Sequence, residues 1–130
     1  MTATLAENVR LARPGATDAD VQSALDTAHL HAWSRALPHQ LDTLLGDGAA
    51  AVSGGERARI ALARSLLADQ PVLVLDEPTA QLDSVTARAV TDDLLDAATG
   101  RSIVLITHRH EDLARVDGVF ELTPCTARVQ

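Results

Sequence analysis

A wholly apolar run followed at once by two carboxylates constrains the fold of this chain more than any other feature. Val72 to Leu75 reads VLVL, and Asp76 and Glu77 come directly after it. A strand without polar alternation carries apolar side chains on both faces, which is typical of a parallel sheet covered on both sides. Open α/β sheets bind their ligands at the carboxyl ends of such strands. The run therefore predicts an α/β fold with a candidate site at Asp76 and Glu77.

The segment before this strand predicts a helix that begins with two glycines. Ser53 and Glu56 have the spacing of a capping box, in which each side chain accepts from the other residue's backbone N–H. Gly54 and Gly55 carry no Cβ atom, so a ligand can approach the backbone closely there. First-turn N–H groups and the helix dipole favour an anion such as phosphate. The segment therefore indicates a helix start suited to phosphate.

The remaining elements follow from hydrophobic period, caps and helix breakers. Thr17 is a predicted N-cap, and Asp83 or Ser84 caps a later helix with Val85, Ala89, Leu94 and Leu95 inward. We expect about three strands, fewer than a typical sheet has, and two faces that this chain covers only partly. It therefore resembles part of a larger α/β domain. The predicted elements are helices over 5–11, 18–33, 54–69, 84–98 and 111–115, and strands over 72–75, 102–107 and 118–122.

Composition excludes several classes of function for this chain of 130 residues. A formal net charge of −7 argues against nucleic-acid binding and offers no basic membrane patch. No apolar run approaches the roughly 20 residues that a membrane helix needs. All 11 basic side chains are Arg, and a standard P-loop needs a Lys to reach the β/γ-phosphates. The chain therefore contains no standard P-loop of its own.

Four residues at the predicted strand ends have side chains suited to nucleotide chemistry. Asp76 is a candidate Mg²⁺ ligand, and Glu77 is placed to polarise a water for attack on a γ-phosphate. His108 ends the second predicted strand and can donate a hydrogen bond to that phosphate, while Asp83 can orient the water or touch a partner. Taken singly, each residue is better explained as loop polarity or a helix cap. The ordered set of glycine-led helix, apolar strand, carboxylates and strand-end histidine favours a nucleotide site.

This ordered set resembles the C-terminal part of an ATP-binding cassette (ABC) nucleotide-binding domain. Val52 to Glu56 resembles the LSGGQ signature, Val72 to Glu77 the Walker B strand with its catalytic glutamate, Ala80 to Asp83 the D-loop, and His108 the switch histidine. Two further stretches, TLAENVRLARPGATD and ALPHQLDTLLGDGAAAVSGGERARIALARSLL, resemble exporter-type cassettes and are most similar to thiol-reductant (cysteine/glutathione) exporters. The resemblance covers nearly the whole chain.

The resemblance implies a partial P-loop NTPase-like fold that lacks the Walker A half. Residues 1–130 would form one C-terminal fragment, with a helical and signature region over about 5–69 and the Walker B, D-loop and switch region over about 70–122. The family implies MgATP hydrolysis coupled to export of a substrate such as a thiol, with ATP and Mg²⁺ as cofactors. It also implies a transmembrane exporter domain as a partner, at the cytoplasmic face of the inner membrane.

The resemblance also divides the site between two cassettes, which meet head to tail around two ATP molecules as a homo- or heterodimer. Asp76 (on Mg²⁺), Glu77 (as base) and His108 would serve this chain's own site, with Asp83 beside them. The signature would grip the γ-phosphate of ATP held by the partner cassette. Its residues are Ser53, Gly54, Gly55 and Glu56.

Several features depart from the family pattern. Glu56 replaces the signature Gln, Val52 replaces its Leu, and Gln81 stands where the D-loop commonly has a small residue. The adenine-stacking aromatic, the Walker A loop and the Q-loop glutamine would lie upstream of Thr4, so we expect Met1 to begin inside a cassette and the chain alone to be inactive. Two alternatives remain open: an accessory protein whose signature helix completes a partner's site, and a fragment of a soluble ABC ATPase of DNA repair or chromosome maintenance. The acidic balance counts against the latter.

Overall fold

The computed structural model of the protein describes residues 3–46, 51–80 and 82–122. Helices and strands alternate along the second half of the chain, whereas helices dominate the first. The elements are β1 (Ala3–Thr4), α1 (Leu5–Arg10), α2 (Asp18–Thr27), α3 (His31–Ala36), β2 (Leu44–Leu45), α4 (Gly54–Leu67), β3 (Val72–Asp76), α5 (Ser84–Ala97) and β4 (Ser102–Ile106), with 3-10 turns at Gln40–Asp42 and His110–Arg115.

The two long strands form a parallel pair, as the apolar runs predict. Val72 lies opposite Ser102, and Asp76 lies opposite Ile106, so both strands end at the same edge. The crossover between them contains α5, which is the usual way to join parallel neighbours. A second, antiparallel pair joins Thr4 to Leu44 in the helical half and was not predicted. Mixed helix and parallel strand confirms the α/β fold class.

Three helices begin at the predicted caps Thr17, Ser53 and Asp83, and α1 begins at Thr4, a cap that was not predicted. α1, α2 and α4 each begin with a complete capping box, formed by Thr4 with Glu7, Thr17 with Asp20, and Ser53 with Glu56. These boxes satisfy N–H groups that a helix start otherwise leaves without partners. α5 begins at the predicted cap Asp83.

Helix α4 lies at the centre of the packing and contacts α1, α2 and α5. Ile60, Ala63 and Leu67 recur on its buried side at helical spacing. Arg64 extends from the same helix to α1, where its Nε donates to the Asn8 carbonyl at 2.8 Å and its second nitrogen donates to Asn8 Oδ1 at 2.9 Å. Helix α4 therefore packs against both the helical half of the chain and the half that contains the parallel strands.

One face of the parallel pair is buried and the other is open. Leu73 is 4% exposed, whereas its neighbour Val74 on the opposite face is 63% exposed. Val104, across the ladder from Val74, is exposed with it, as is Ile106 at the strand end. The described residues thus cover only one of the two faces. Strands that are apolar on both faces normally have both faces covered, so the open face agrees with the partial cover expected from the sequence. A contiguous apolar patch of this kind marks a surface suited to a further contact.

Three predictions from sequence are wrong in whole or in part. The single helix predicted over 18–33 is two helices, α2 and α3, because the chain turns between them, where His29 has a positive φ of 59. The segment 118–122 is not a strand, and Val119 and Phe120 there are exposed. A strand needs a backbone partner, and within the described ranges β3 and β4 pair only with each other.

The inward face of α5 is predicted correctly only at Leu94, since Val85 and Ala89 are exposed and Leu95 is half-buried. The buried set of this helix is Ala87, Val90, Thr91 and Leu94.

The two faces of β3 predict opposite responses to truncation. We expect Leu73→Ala to lower the free energy of unfolding by about 2–5 kcal/mol, because it leaves a cavity against the helices. We expect Val74→Ala to cost less than about 1 kcal/mol, because that side chain already contacts water. Urea unfolding of both variants measures the difference. Equal losses would mean that the outer face is covered in solution.

Candidate functional site

The carboxyl ends of β3 and β4 bring three predicted residues together. Glu77 follows β3 directly and His108 lies two residues beyond the end of β4. The parallel register places these ends side by side, and Glu77 Oε1 lies 2.8 Å from His108 Nδ1. Asp76, the last residue of β3, is exposed beside them. A carboxylate and an imidazole in hydrogen-bonding contact can exchange a proton or orient one.

The backbone of Glu77 adopts the left-handed region, with φ 44. Its N–H still donates to the Ile106 carbonyl at 2.9 Å, so the residue ends the ladder and turns the chain at once. The Ala80 N–H donates back to the Glu77 carbonyl at 3.2 Å and closes the turn. A non-glycine residue in this region costs about 1–3 kcal/mol and persists where the surroundings fix it, often at functional sites. Nothing in the sequence pattern predicts this strain.

Exposure differs between the two partners of the contact. The His108 side chain is 74% exposed and that of Glu77 is 33% exposed. The imidazole therefore has open space around it, whereas the Glu77 carboxylate is partly enclosed.

The D-loop candidate Asp83 is used as a helix cap. Its Oδ1 accepts from the backbone N–H groups of Val85 at 3.1 Å and Thr86 at 3.0 Å. Hydrogen bonds from Thr86, first from its hydroxyl and then from its N–H, hold the pKa of Asp83 below its usual value of 3.8. The structure gives Asp83 no bond to Glu77 or His108 within the described residues. Gln81, the unusual D-loop residue, lies outside the described residues.

The signature candidates form the start of α4. Ser53 Oγ accepts from the Glu56 N–H at 3.2 Å, and the Ser53 N–H donates to Glu56 Oε2 at 2.8 Å. A Cβ atom added to Gly54 would lie 2.6 Å from Leu82 Cδ2, so the absence of a side chain admits the D-loop leucine. A Cβ on Gly55 would meet Val90 of α5 at an ordinary 3.5 Å. The signature and D-loop segments therefore touch within this chain.

The loop that carries His108 is held by residues that sequence reasoning did not single out. Thr107 Oγ1 donates to Asp112 Oδ2 at 2.9 Å, and Thr91 on α5 donates to Asp112 Oδ1 at 3.3 Å. Polar residues near a strand end are so common in sequences that their presence does not predict which of them form a hydrogen bond with each other. The bonds to Asp112 become evident only from the structure, in which the 3-10 turn packs against α5.

The residues present fit Mg²⁺ as one part of a shared coordination sphere. Among the described residues, no group of three or more His, Cys, Asp and Glu side chains is arranged to hold a metal. Mg²⁺ is commonly bound by one or two carboxylates, with substrate phosphates and water completing the octahedron. Asp76 offers one exposed carboxylate at a strand end, which suits a metal that arrives with a phosphate ligand.

Comparison with known proteins identifies the family to which the chain belongs. The model of the ABC transporter family matches residues 1–80, more than half of the chain. The chain belongs to the ABC transporter family. The parallel strands with flanking helices are those of a fragment of the ABC ATPase fold, as the resemblance implied.

Two relatives of the chain are a transport system protein and a flippase by name. The chain is 42% identical over 118 residues to the glutathione/L-cysteine transport system ATP-binding/permease protein CydD of Escherichia coli, covering 91% of this chain and 20% of the relative. It is 36% identical over 117 residues to the ATP-dependent lipid A-core flippase 1 of Colwellia psychrerythraea, covering 90% of this chain and 19% of the relative. The chain thus spans about a fifth of the length of these relatives.

A solved structure supports the same assignment. A bacterial Atm1-family ABC exporter with ATP bound matches with a TM-score of 0.72 and 33% sequence identity. The match covers 88% of this chain and 20% of the exporter chain. Among the helices of the described residues, none has the length and apolar character to cross a membrane.

The cap at Asp83 of this ABC family member predicts a pH dependence. The folded-state pKa is lowered, so the folded chain binds fewer protons than the unfolded chain near pH 3.8. The contribution of the carboxylate to the free energy of unfolding is therefore complete above that pH and is lost as the pH falls through the lowered value.

Asp83→Asn provides the matched control, because asparagine caps a helix without titrating. We expect the stability difference between the two chains to be constant above about pH 5 and to change only as the carboxylate protonates below it. Urea unfolding across a pH series measures it. A difference that changes near neutral pH, or not at all, would contradict the assigned cap.

Proposed function

We propose that this chain forms the C-terminal part of one ATP-hydrolysing cassette of an ABC exporter. The observation that carries the proposal is the Glu77–His108 contact of 2.8 Å at adjacent strand ends, next to the exposed Asp76. In this reading residues 1–130 are one fragment, with the helical and signature region over about 5–69 and the Walker B, D-loop and switch region over about 70–122. The family match and the ABC exporter structure above support it.

The proposed reaction is phosphoryl transfer from MgATP to water. Glu77 acts as the base that polarises the attacking water, and its strained turn fixes the carboxylate beside the strand end. His108 donates a hydrogen bond to the γ-phosphate. Its high exposure allows it to move from Glu77 to the phosphate, which frees the Glu77 carboxylate for water.

Two further carboxylates have supporting roles in this proposal. Asp76 would hold Mg²⁺, and the metal when bound would neutralise charge on the phosphates. Asp83 acts beside Glu77 by fixing the D-loop: its bonds to Val85 and Thr86 anchor the start of α5. Leu82, directly before it, touches Gly54. The cap therefore links the position of the D-loop to the signature.

The signature residues serve a different ATP molecule in this proposal, one held by a second cassette of a homo- or heterodimer. Ser53, Gly54, Gly55 and Glu56 begin a helix whose first-turn N–H groups favour phosphate. The Glu56 carboxylate is already bonded to the Ser53 N–H, so part of the anion-attracting capacity is used within the chain. A glutamine there would retain the cap without the negative charge.

The transported substrate is proposed to be a small thiol of the cysteine or glutathione type. The support is the 42% identity to the Escherichia coli glutathione/L-cysteine transport protein. A transmembrane exporter domain would be the second partner, which places this cassette at the cytoplasmic face of the inner membrane. No nucleic-acid partner is proposed, because the net charge of −7 disfavours phosphate backbones.

The chain by itself is predicted to be inactive. Without Lys it has no standard P-loop to hold the β/γ-phosphates, so we expect no ATP turnover above a protein-free blank and only weak binding of a fluorescent ATP analogue. The purified chain and Glu77→Gln are assayed side by side for phosphate release. Turnover by the chain that Glu77→Gln abolishes would contradict this prediction.

Complementation tests the proposed function directly. The chain is mixed with a polypeptide that bears the P-loop half of an ABC exporter cassette, and MgATP hydrolysis is measured. We expect hydrolysis that Glu77→Gln lowers by at least about a hundredfold, the scale of one general base. Leu11→Ala, at an exposed position outside the strand ends, is the control and should leave the rate unchanged.

The same mixture of this chain and the P-loop polypeptide distinguishes an accessory module from a cassette fragment. A module that only completes a partner's site through Ser53 would stimulate hydrolysis equally well with Glu77→Gln. An unchanged rate in that variant would therefore favour the accessory role over the cassette fragment. The names of the relatives above, a transport protein and a flippase, support an exporter over a soluble ATPase of DNA repair.

A further inference from the structure

The loop after β4 surrounds a buried carboxylate. Asp112 is 5% exposed and is the one charged side chain that is buried in the described part of the chain. Burial of a charge is costly unless hydrogen bonds compensate it. Here Oδ1 accepts from Thr91 Oγ1 at 3.3 Å and Oδ2 accepts from Thr107 Oγ1 at 2.9 Å. Each carboxylate oxygen therefore has a hydroxyl partner.

Further hydrogen bonds link Asp112 to the residues on either side of His108. Thr107, the residue before it, also accepts from the Arg109 N–H at 3.1 Å, the residue after it. The Asp112 N–H donates to the Arg109 carbonyl at 3.2 Å. The residues on both sides of His108 are thus linked to Asp112, Thr107 through the carboxylate and Arg109 through the backbone N–H, although the imidazole itself is mostly exposed.

The Asp112 carboxylate also attaches this loop to helix α5. Thr91 is buried on that helix and holds the second carboxylate oxygen. A separate clamp lies further along the turn, where Arg115 pairs with Asp92 at 2.9 Å and with Asp96 at 2.6 Å. The turn therefore has two attachments to α5, and only the Asp112 attachment bears on the backbone at His108.

We propose that Thr107 and Asp112 are positioning residues that fix the backbone of the loop carrying His108, so that the imidazole stays within reach of both Glu77 and a bound phosphate. A buried hydrogen-bonded network rigidifies the segments it joins, and the segment joined here is the loop that carries His108. The consequence for hydrolysis rests on the proposed function, whereas the consequence for the position of His108 is a property of the chain itself.

The test compares Thr107→Val with Thr107→Ser in the full chain. Valine keeps the shape but removes the donor to Asp112 and the acceptor for the Arg109 N–H, while serine retains both. We expect valine to abolish the nuclear Overhauser contact between the His108 ring and the Glu77 side chain. We also expect it to speed hydrogen exchange at the Arg109 amide roughly fivefold, the effect of one lost hydrogen bond. Serine should leave both unchanged.

A matched control removes a threonine hydroxyl elsewhere. Thr99 Oγ1 bonds only the Asp96 carbonyl at 2.7 Å, so Thr99→Val should not move His108. Urea unfolding reports whether each variant folds. Should Thr107→Val not fold, Thr91→Val provides the Overhauser readout alone, because it releases Asp112 from α5 while the Thr107–Arg109 bond, and with it the exchange rate of the Arg109 amide, remains. A folded variant that keeps the His108–Glu77 contact would overturn the proposal.

A catalytic arm separates this proposal from the proposed function. In the complemented mixture with MgATP, Thr107→Val should lower kcat at least about tenfold with little change in KM, and Thr107→Ser should restore it. No hydrolysis by the unchanged chain would refute the proposed function, and the resonance measurements would still decide the positioning role. A variant that changes only KM would overturn the positioning role in catalysis.

Discussion

The parallel pairing of β3 with β4 is the interaction on which the candidate site depends. Its register places Asp76 opposite Ile106, and the Glu77 N–H extends the ladder by one more bond to the Ile106 carbonyl. Any shift of register would move the residue after β3 away from the loop after β4, because side chains alternate between faces. The Glu77–His108 contact is therefore a consequence of strand pairing.

Helix α4 connects this site to the rest of the chain. It packs on α1, α2 and α5, and its first turn meets the D-loop where Leu82 fills the space left open at Gly54. The segment from Val52 to Asp83 thus folds back so that its two ends touch. In the proposed dimer the signature end faces the ATP of the partner cassette, and the other end lies beside the chain's own site.

The open face of the sheet has a physical meaning for the proposed cassette. Val74 and Val104 form an exposed apolar surface, while Leu73 and Leu75 are buried against helices. Water contact at such a surface is unfavourable by about 25 cal/mol per Å² of apolar area. The strands are therefore suited to a second layer of structure, which agrees with a chain that spans about a fifth of the length of its relatives.

Local rules determined much of this protein from sequence alone. Caps at Thr17, Ser53 and Asp83, the apolar strand at β3, and the carboxylates after it all follow from contacts between residues a few positions apart. Tertiary structure decided the rest, since it depends on which surfaces pack together. The 31-residue separation closed by Glu77 and His108, the burial of Asp112 and the inward face of α5 each require a partner distant in sequence. The segment 118–122 shows the limit most plainly, because its apolar pattern suits a strand and no strand among the described residues pairs with it.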